Sequence, residues 1–235
     1  MTVQLPLPFT ETPSYRPEDF LSAPCNQLAR IWLEKPQQWT NGRMVLWGEP
    51  GCGKSFLLQL WAKSAAALIY QGADVKGLLV SPSGPIAIDD ADTVPDETAL
   101  FHVLNAAAEA GHPVLLTARL PPARQDQKLK DLASRLRASL AVEITPPDDE
   151  LLGALLYRLA AARQLRLEPA LAEFLLLRLP RTPAVLREAI ARLDRAALAS
   201  GGRVTRQLAA LTLSDLLTPG AELPRHHSPD DPNLL

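Results

Sequence analysis

The chain has 235 residues, of which 47% are apolar and 21% are charged, and its formal net charge is −2 at pH 7. A chain of this size can bury one full core and a small second one, so we expect one mid-sized domain with a subdomain. The net charge gives no general footprint for nucleic acid, and no apolar stretch reaches the roughly 18 uncharged residues of a membrane helix. The first residues, MTVQLPLPFTETPSY, lack the basic start and apolar run of a signal peptide, which indicates a cytoplasmic protein.

The charged residues are unevenly distributed along the chain. Residues 1–118 carry 7 lysines and arginines against 12 acids, whereas residues 119–206 carry 16 against 10. This asymmetry fits a molecule whose basic back docks on the acidic front of a neighbour, or one that brings cations to a phosphate. The sequence also leaves a homodimer open. Scattered solvated charge is the alternative. The chain has two cysteines, Cys25 and Cys52, and Cys52 lies inside a glycine-rich loop. We therefore expect free thiols rather than a structural disulfide.

The first two thirds of the chain predict alternating strands and helices. After a proline-rich arm, Leu28, Ile31 and Trp32 fall at helical spacing and predict a first helix at residues 26–34. Short apolar runs predict strands at residues 44–47, 67–70, 86–88, 114–116 and 140–144. Amphipathic runs between them predict helices at residues 54–66, 96–110 and 127–138. Near-continuous apolar strands separated by helices predict an α/β fold with a parallel five-stranded sheet between layers of helices.

The strand pattern stops at Pro146. A helix is predicted at residues 148–164, and its apolar face is formed by Leu151, Leu155, Leu156 and Leu159. Three more helices are predicted at residues 169–179, 183–199 and 205–216. The predicted organisation is therefore an extended arm at 1–14, an α/β domain at 15–146, an all-helical subdomain at 147–217 and a disordered tail at 218–235.

The segment GEPGCGKS, residues 48–55, matches the phosphate-binding pattern G-x-x-x-x-G-K-[ST] between a predicted strand and a predicted helix. Its glycines let successive backbone N–H groups point inward, while Lys54 reaches the terminal phosphates and Ser55 can hold Mg²⁺. The segment predicts binding of ADP or ATP, and a relic that binds nothing is the alternative. The predicted contacts are Gly48, Gly51, Cys52, Gly53, Lys54, Ser55 and Phe56.

A predicted strand that ends in acids, IAIDDAD, supplies the second element of such a site. Asp89 is placed to complete the Mg²⁺ shell with Ser55, and Asp90 to polarise an attacking water or accept its proton. For Asp90, Asp92 and Asp96, a helix N-cap region is the alternative, because aspartate is favoured there.

The loop, IAIDDAD, VLLTARLPP, LKDLASRLRASL and the helical end resemble, in order and spacing, the AAA+ module of the bacterial replication initiator DnaA. The segments DLASRL and LDRAAL resemble its short regulatory homologues, the Hda proteins, more closely still. The resemblance covers residues 14–217 and implies a P-loop AAA+ module followed by a helical lid. It also implies that Phe20 and Asn26 line the adenine pocket and that Thr117 serves as a polar sensor of the phosphate.

The resemblance implies that the nucleotide is held while the protein acts on a partner. An Hda protein that holds ADP and is tethered to the sliding clamp of DNA polymerase III offers an arginine to ATP-bound DnaA, which hydrolyses its ATP and becomes inactive. Arg135 falls on this arginine-finger position, and Arg137 is the neighbouring candidate. For both, a solvated helix face without a partner is the alternative. An arginine supplied in trans is worth about 10³ to 10⁵ in rate. DNA is then contacted only indirectly, and the protein works in the cytoplasm at the nucleoid and replisome.

The arm contains a second resemblance. QLPLPF, residues 4–9, resembles the clamp-binding motif of Hda N-termini. Two prolines hold this strip extended, so Leu5, Leu7 and Phe9 can enter an apolar groove at little ordering cost while Gln4 offers its amide. The residues alone leave open a disordered arm without a partner.

Two departures from the family pattern concern hydrolysis. The residue after Thr117 is usually polar or acidic, whereas this chain has an alanine followed by Arg119. The lid arginine of the family falls on Ala184, with Arg181 and Arg187 three residues to either side. At helical spacing either arginine could face the same groove, but neither is aligned. These departures predict slow hydrolysis by the chain itself more than a loss of nucleotide binding.

Three other functions fit parts of the pattern. An independent DnaA-like initiator needs a DNA-reading domain after the lid, and with about 18 residues left after the last predicted helix we expect none. A small-molecule kinase leaves DLASRL and the arm unexplained. A truncated DnaA-like ATPase or clamp adaptor without hydrolysis-stimulating activity, in which nucleotide only stabilises the fold, remains the alternative.

Overall fold

The computed structural model describes residues 20–77, 83–200 and 203–217, so the predicted arm at 1–14 and tail at 218–235 lie outside the described residues. Five strands form one sheet: β1 (Arg43–Trp47), β2 (Leu68–Gln71), β3 (Ile86–Asp89), β4 (Val114–Ala118) and β5 (Leu140–Glu143). All neighbouring strands run parallel, in the order β2-β3-β4-β1-β5. The predicted parallel five-stranded sheet is confirmed.

Eight α-helices lie within the described residues, and each begins and ends within four residues of a predicted helix. The four that accompany the sheet are α1 (Pro24–Leu33), α2 (Lys54–Ala65), α3 (Glu97–Glu109) and α4 (Lys130–Arg137). The four that follow it are α5 (Asp149–Ala162), α6 (Pro169–Arg178), α7 (Pro183–Ser200) and α8 (Arg206–Thr212). In the part of the chain that the structure describes, no helix combines the length and the apolar character needed to cross a membrane.

The sheet is covered on both faces, because successive side chains of a strand point to opposite sides. Val45 of β1 lies in one apolar cluster with Leu104 of α3 and Leu136 of α4. Its neighbours Met44 and Leu46 lie in another cluster, with residues of α1 and α2. Burial on both faces explains why the strands are continuous apolar runs rather than alternating ones.

Helix α1 buries only part of the face that its apolar spacing predicts, since Trp32 packs against the core while Leu28 and Ile31 do not. Leu28 and Ile31 are 55% and 42% exposed, whereas Ala29 is fully buried. The helix contacts β5, and the carbonyl oxygen of Cys25 accepts a hydrogen bond from the Thr145 N–H just beyond that strand, at 3.2 Å. We infer that the small Ala29 side chain lets the helix approach the strand closely, so the tertiary contact decides which face is buried.

The parallel direction gives the sheet two different edges. At the carboxyl edge, Leu46 of β1 pairs with Thr117 of β4, beside the loop that follows β1. At the amino edge, β5 begins at Leu140 opposite Met44. The last turn of α4 ends just before β5, so the loop at residues 48–55 and the end of α4 lie at opposite edges of the sheet.

The helices after β5 share a core of their own. Leu152, Leu155 and Leu156 of α5 lie in one cluster with residues of α6, α7 and α8, and every buried residue of this cluster is at position 152 or later. Leu152 takes the buried position that the sequence analysis gives to Leu151, which is only half-buried. A separate core is what a subdomain requires, while the predicted domain boundaries stay predictions.

Asp96 caps the start of α3. Its Oδ1 accepts a hydrogen bond from the Ala99 N–H at 3.0 Å, and its Oδ2 accepts one from the Gly77 N–H at 3.2 Å. These backbone donors, Ala99 first, lower the pKa of the Asp96 carboxyl because they stabilise its ionised form. Asp96 is therefore the N-cap of α3, which is the alternative that the sequence left open for it.

Replacement of Asp96 by alanine should lower the melting temperature at neutral pH by about 2 to 4 °C, because a helix cap is lost. A depressed carboxyl pKa stabilises the fold above the unfolded-state value of about 3.9, and this contribution disappears as the pH falls through the folded-state pKa. The difference between wild type and Asp96→Ala should therefore narrow below about pH 4. Asp96→Asn keeps an acceptor and is the control; equal melting temperatures of wild type and Asp96→Ala at neutral pH would contradict the prediction.

Candidate nucleotide site

The loop at residues 48–55 connects β1 to α2 and packs closely against the end of the sheet. At Gly48, φ is +151°, and a Cβ there would lie 2.4 Å from the carbonyl oxygen of Ile144. Gly53 takes the left-handed conformation, with φ +110°, immediately before α2 begins. A side chain at either position would displace or strain the loop, so both glycines are needed for its path.

Lys54 lies inside this loop and is only 6% exposed. Its Nζ donates hydrogen bonds to the carbonyl oxygens of Gly48 at 2.8 Å and Glu49 at 2.9 Å, and it lies 3.9 Å from the Cys52 Sγ. Because α2 starts at Lys54, the free N–H groups of its first turn are at the same place. An ammonium group and a helix N-terminus around one loop form an arrangement suited to phosphate oxygens.

Three side chains from three elements meet beside the loop. The Asp89 Oδ1, at the end of β3, accepts hydrogen bonds from the Ser55 Oγ at 3.1 Å and the Thr117 Oγ1 at 2.6 Å. The Thr117 Oγ1 in turn accepts one from the Asp90 N–H at 2.8 Å. A hydroxyl and a carboxylate in contact are hard oxygen ligands of the kind that Mg²⁺ uses together with phosphates and water. Ser55 and Asp89 therefore fit the predicted metal site.

Asp90 follows this network in a left-handed turn, with φ +51°. Burial first, and then the neighbouring Asp89 and Asp92, raise the pKa of its carboxyl, because each disfavours the ionised form. Gly72 packs directly against this turn, because a Cβ at Gly72 would lie only 2.1 Å from the Asp90 carbonyl oxygen. A carboxylate with a raised pKa is a better proton acceptor, which suits the predicted role of Asp90.

Arg119 and Asp92 pair with each other at the edge of this site. The Arg119 N–H donates to the Asp92 Oδ2 at 3.2 Å, and its Nε lies 3.9 Å from the same oxygen. The alanine before it, Ala118, is buried in the core beneath the sheet. Thr117 is thus the polar side chain of β4 that contacts Asp89, and Arg119 is held by Asp92.

The start of α7 lies directly against the loop. A Cβ at Gly51 would be 3.1 Å from the Thr182 Cβ and 3.5 Å from the Ala184 Cβ. Arg181 instead pairs with the exposed Asp149 of α5. The Arg187 guanidinium lies over the Phe56 ring, 5.6 Å from its centroid. The start of α7 therefore brings the Ala184 methyl group to the loop, together with Thr182.

The two residues predicted to line the base pocket have different surroundings. The Phe20 ring packs on that of Phe56, with centroids 5.5 Å apart. Asn26 is buried, but its Oδ1 accepts from the Ala23 N–H at 3.2 Å and its Nδ2 donates to the Leu21 carbonyl oxygen at 3.0 Å. Phe20 can offer a stacking surface, whereas the amide of Asn26 is used to shape the chain around it.

Arg135 lies at the opposite, amino edge of the sheet, in the last turn of α4. Its guanidinium is half-buried over the ring of Phe101, 5.0 Å from the centroid. The Ser139 Oγ donates to the Arg135 carbonyl oxygen at 3.0 Å and is also a partner of the buried Arg43 Nε at 3.4 Å. Arg137 is exposed. The predicted finger is therefore far from its own loop, at the other edge of the sheet.

Sequence analysis missed three residues around these sites. Phe101 supports Arg135, Arg187 covers Phe56, and Gly72 lets the Asp90 turn approach. Gly72 carries a signal, since a glycine after a strand indicates a turn or a close approach. The two aromatic contacts join residues far apart in sequence and carry no local signal. The predicted clamp-binding residues Gln4, Leu5, Leu7 and Phe9 lie outside the described residues.

We predict that Lys54→Ala removes nucleotide-dependent stabilisation, because the ammonium group leaves the loop. With MgADP at about 100 times its dissociation constant, the wild-type melting temperature should rise by roughly 5 to 10 °C, and that of Lys54→Ala by much less. The control is Lys63→Ala, an exposed position on the same helix. Differential scanning fluorimetry measures the shift; an equal rise for wild type and Lys54→Ala would refute the assignment.

Comparison with known proteins identifies a sequence relative of part of the chain. No protein-family model matches it. Over 124 residues it is 32% identical to the chromosomal replication initiator protein DnaA of Cutibacterium acnes, a match that covers 53% of this chain and 25% of that protein. The chain thus spans about a quarter of the length of this curated relative.

Solved structures agree with this comparison at the level of the fold. Domain III of the replication initiation protein DnaA from Thermotoga maritima matches with a TM-score of 0.73 at 20% identity, over 88% of this chain and 99% of that one. AMPPCP-bound DnaA from Aquifex aeolicus matches with a TM-score of 0.66 at 19% identity, over 81% of this chain and 68% of that one. The chain has a DnaA-like AAA+ fold.

Proposed function

We propose that this protein is a regulatory inactivator of DnaA of the Hda type: it holds a nucleotide at its own loop and supplies Arg135 to ATP bound by DnaA. The observation that carries the proposal is the position of Arg135, at the sheet edge opposite its own loop. From there the guanidinium cannot serve its own nucleotide. It is suited to a nucleotide held by a neighbouring molecule.

The loop and its network support nucleotide binding. Lys54, Ser55 and Asp89 are already in contact with the loop or with each other, so little rearrangement is required to receive phosphates and Mg²⁺. Mg²⁺, when bound, would be held by Ser55 and Asp89 and would neutralise phosphate charge. DnaA from Aquifex aeolicus has the same fold at 19% sequence identity, and its solved structure contains bound AMPPCP. We propose ADP or ATP as the ligand here.

The lid supports a role as a nucleotide holder with slow turnover. Ala184 contacts the loop with a methyl group, Arg181 is paired with Asp149, and Arg187 lies on Phe56. The aligned position, Ala184, therefore offers no positive charge to stabilise the charge that develops on the terminal phosphate. The Asp90 carboxylate can still accept a proton from the attacking water. We therefore expect slow rather than absent hydrolysis of the nucleotide that this protein holds.

Arg135 would act as an arginine finger and raise the rate at which the partner hydrolyses its bound ATP. Charge develops on the oxygens of the transferred phosphoryl group, and a guanidinium with several N–H donors meets that charge. Arginine stays protonated at every physiological pH, so it contributes positive charge without a proton transfer. The step itself takes place on DnaA, and our protein supplies one side chain to it.

The remaining parts of the proposal concern partners. The arm would tether the protein to the sliding clamp of DNA polymerase III, which brings it to the nucleoid and replisome and makes its contact with DNA indirect. Tethering raises the local concentration of Arg135 near DnaA without any new contact. The charge asymmetry is also compatible with a homodimer. A clamp adaptor that does not stimulate hydrolysis is the alternative, and the next experiment distinguishes it.

Arg135→Ala should abolish stimulation of DnaA ATP hydrolysis in a reaction with the clamp, DNA and this protein. We expect a loss of about 10³-fold or more relative to wild type, since the transition-state charge is left unpaired. The melting temperature, nucleotide affinity and clamp affinity should stay within error. The assay is turnover of radiolabelled ATP, with each component omitted in turn.

Arg137→Ala is the matched control, because it removes an exposed arginine from the same helix turn. It should keep nearly full stimulation. Full activity of Arg135→Ala would overturn the proposed finger, and loss of activity only in Arg137→Ala would move it by two positions. A wild-type protein that binds the clamp but stimulates nothing would favour the adaptor.

The double substitution Leu7→Ala, Phe9→Ala should weaken binding to the clamp beyond detection. Each apolar anchor is worth about 1.5 to 3 kcal/mol if fully buried, which is enough to lose a micromolar contact. Excess protein should partly rescue the activity of this variant but not that of Arg135→Ala, because only the first lacks tethering. The double variant Thr10→Ala, Thr12→Ala, just outside the motif, is the control. A peptide of residues 1–14 that fails to compete for the clamp would rule the arm out.

A further inference from the structure

We propose that Phe101 is a positioning residue for Arg135: its ring holds the guanidinium by its flat face and leaves the N–H edge open for phosphate oxygens. This inference rests on the proposed function. It adds a residue on another helix, with a stated role, to the site on α4.

Helix α3 fixes α4 at its start. The two carboxylate oxygens of Glu97 accept hydrogen bonds from the backbone N–H groups of Lys128 at 3.1 Å and Leu129 at 2.7 Å, just before α4 begins. A carboxylate at this place also favours the positive end of the α4 dipole. Both helices precede a strand of the parallel sheet, so they run in the same direction away from this contact.

One helical turn after Glu97, Phe101 lies under the far end of α4. The Arg135 Cζ is 5.0 Å from the centroid of the Phe101 ring, within the range of a cation–π contact. Phe101 and Arg135 are both half-buried. The ring therefore confines a long side chain that would otherwise sample many rotamers in solvent, and it lowers the entropy lost when the guanidinium meets a phosphate.

The kind of partner matters as much as its distance. Several arginines of this protein are paired with carboxylates: Arg181 with Asp149, Arg119 with Asp92, and Arg192 with Asp215. Such a pair uses the N–H edge of the guanidinium and neutralises its charge. An aromatic ring contacts the face instead, so the N–H donors and the full positive charge stay available. The Arg135 guanidinium contacts such a ring, that of Phe101.

Arg135 also interacts electrostatically with a second cation, Arg43. Arg43, at the start of β1, is buried with its Nε 3.4 Å from the Ser139 Oγ. Burial first, and then the nearby Arg135, lower the pKa of the Arg43 guanidinium. Repulsion from Arg43 disfavours rotamers that bring the Arg135 guanidinium closer to it.

The kinetic test uses stimulated hydrolysis of ATP on the partner at increasing concentrations of this protein. Phe101→Leu keeps an apolar side chain without a π face, and it should lower the maximal stimulated rate roughly 3- to 10-fold while the half-saturating concentration changes little. Phe101→Tyr keeps the face and should restore nearly the wild-type rate. Phe174→Leu is the matched control, because it removes another ring that lies under an arginine, Arg206, in the helical subdomain.

Each outcome decides between the two proposals. A lower maximal rate for Phe101→Leu with rescue by Phe101→Tyr supports the positioning role. Equal rates for Phe101→Leu and wild type, when Arg135→Ala is inactive, overturn the role of Phe101 and leave the proposed function intact. A fully active Arg135→Ala overturns the proposed function and this inference with it.

A second measurement needs neither the partner nor a functional assay. In the protein alone, the ring current of Phe101 should shift the NMR signals of the Arg135 side-chain Hδ and Hε protons upfield of those of Arg137. The shift should be retained in Phe101→Tyr and lost in Phe101→Leu. Arg135 signals at ordinary positions in the wild-type protein would show that the ring does not hold the guanidinium, and the inference would fall.

Discussion

The common direction of the five strands is the constraint on which the rest of this structure depends. Because β1 to β5 all run the same way, every loop that follows a strand emerges at one edge, and every helix that leads into a strand ends at the other. The first edge collects Lys54, Asp89 and Thr117, and the second receives Arg135. One small module can therefore hold an anion at one side and present a cation at the opposite side. That separation is what an action in trans requires.

At the carboxyl edge, the carboxylate of Asp89 joins three elements. It accepts hydrogen bonds from the hydroxyl groups of Ser55 on α2 and Thr117 on β4. Charge-assisted hydrogen bonds of this kind are stronger than those between neutral groups. Thr117 also accepts the N–H of Asp90, so the polar residue of β4 orients both acids. The network makes the candidate metal ligands and the candidate base parts of one hydrogen-bonded unit.

The lid and the far helix use arginine in different ways. Near the loop, Ala184 lies against Gly51 with a methyl group, and the flanking Arg181 is neutralised by Asp149. At the other edge, Arg135 rests on an aromatic ring and keeps its charge. The aligned lid position thus carries no charge and its neighbour Arg181 is paired with a carboxylate, whereas Arg135 contacts a ring at the edge where a neighbour would meet it. This contrast is consistent with a protein that holds one nucleotide and acts on another.

The sequence by itself determined the order of elements, the parallel sheet and the phosphate-binding loop, because continuous apolar strands, amphipathic helices and a glycine–lysine–serine pattern are local properties of the chain. It also indicated which residues at strand ends would meet, since the ends of parallel strands share an edge. Only the tertiary structure decided which face α1 buries, which arginines are neutralised and what lies under Arg135. Those outcomes depend on contacts between residues far apart in the chain, such as Phe101 with Arg135, and such contacts leave no periodic pattern in the sequence.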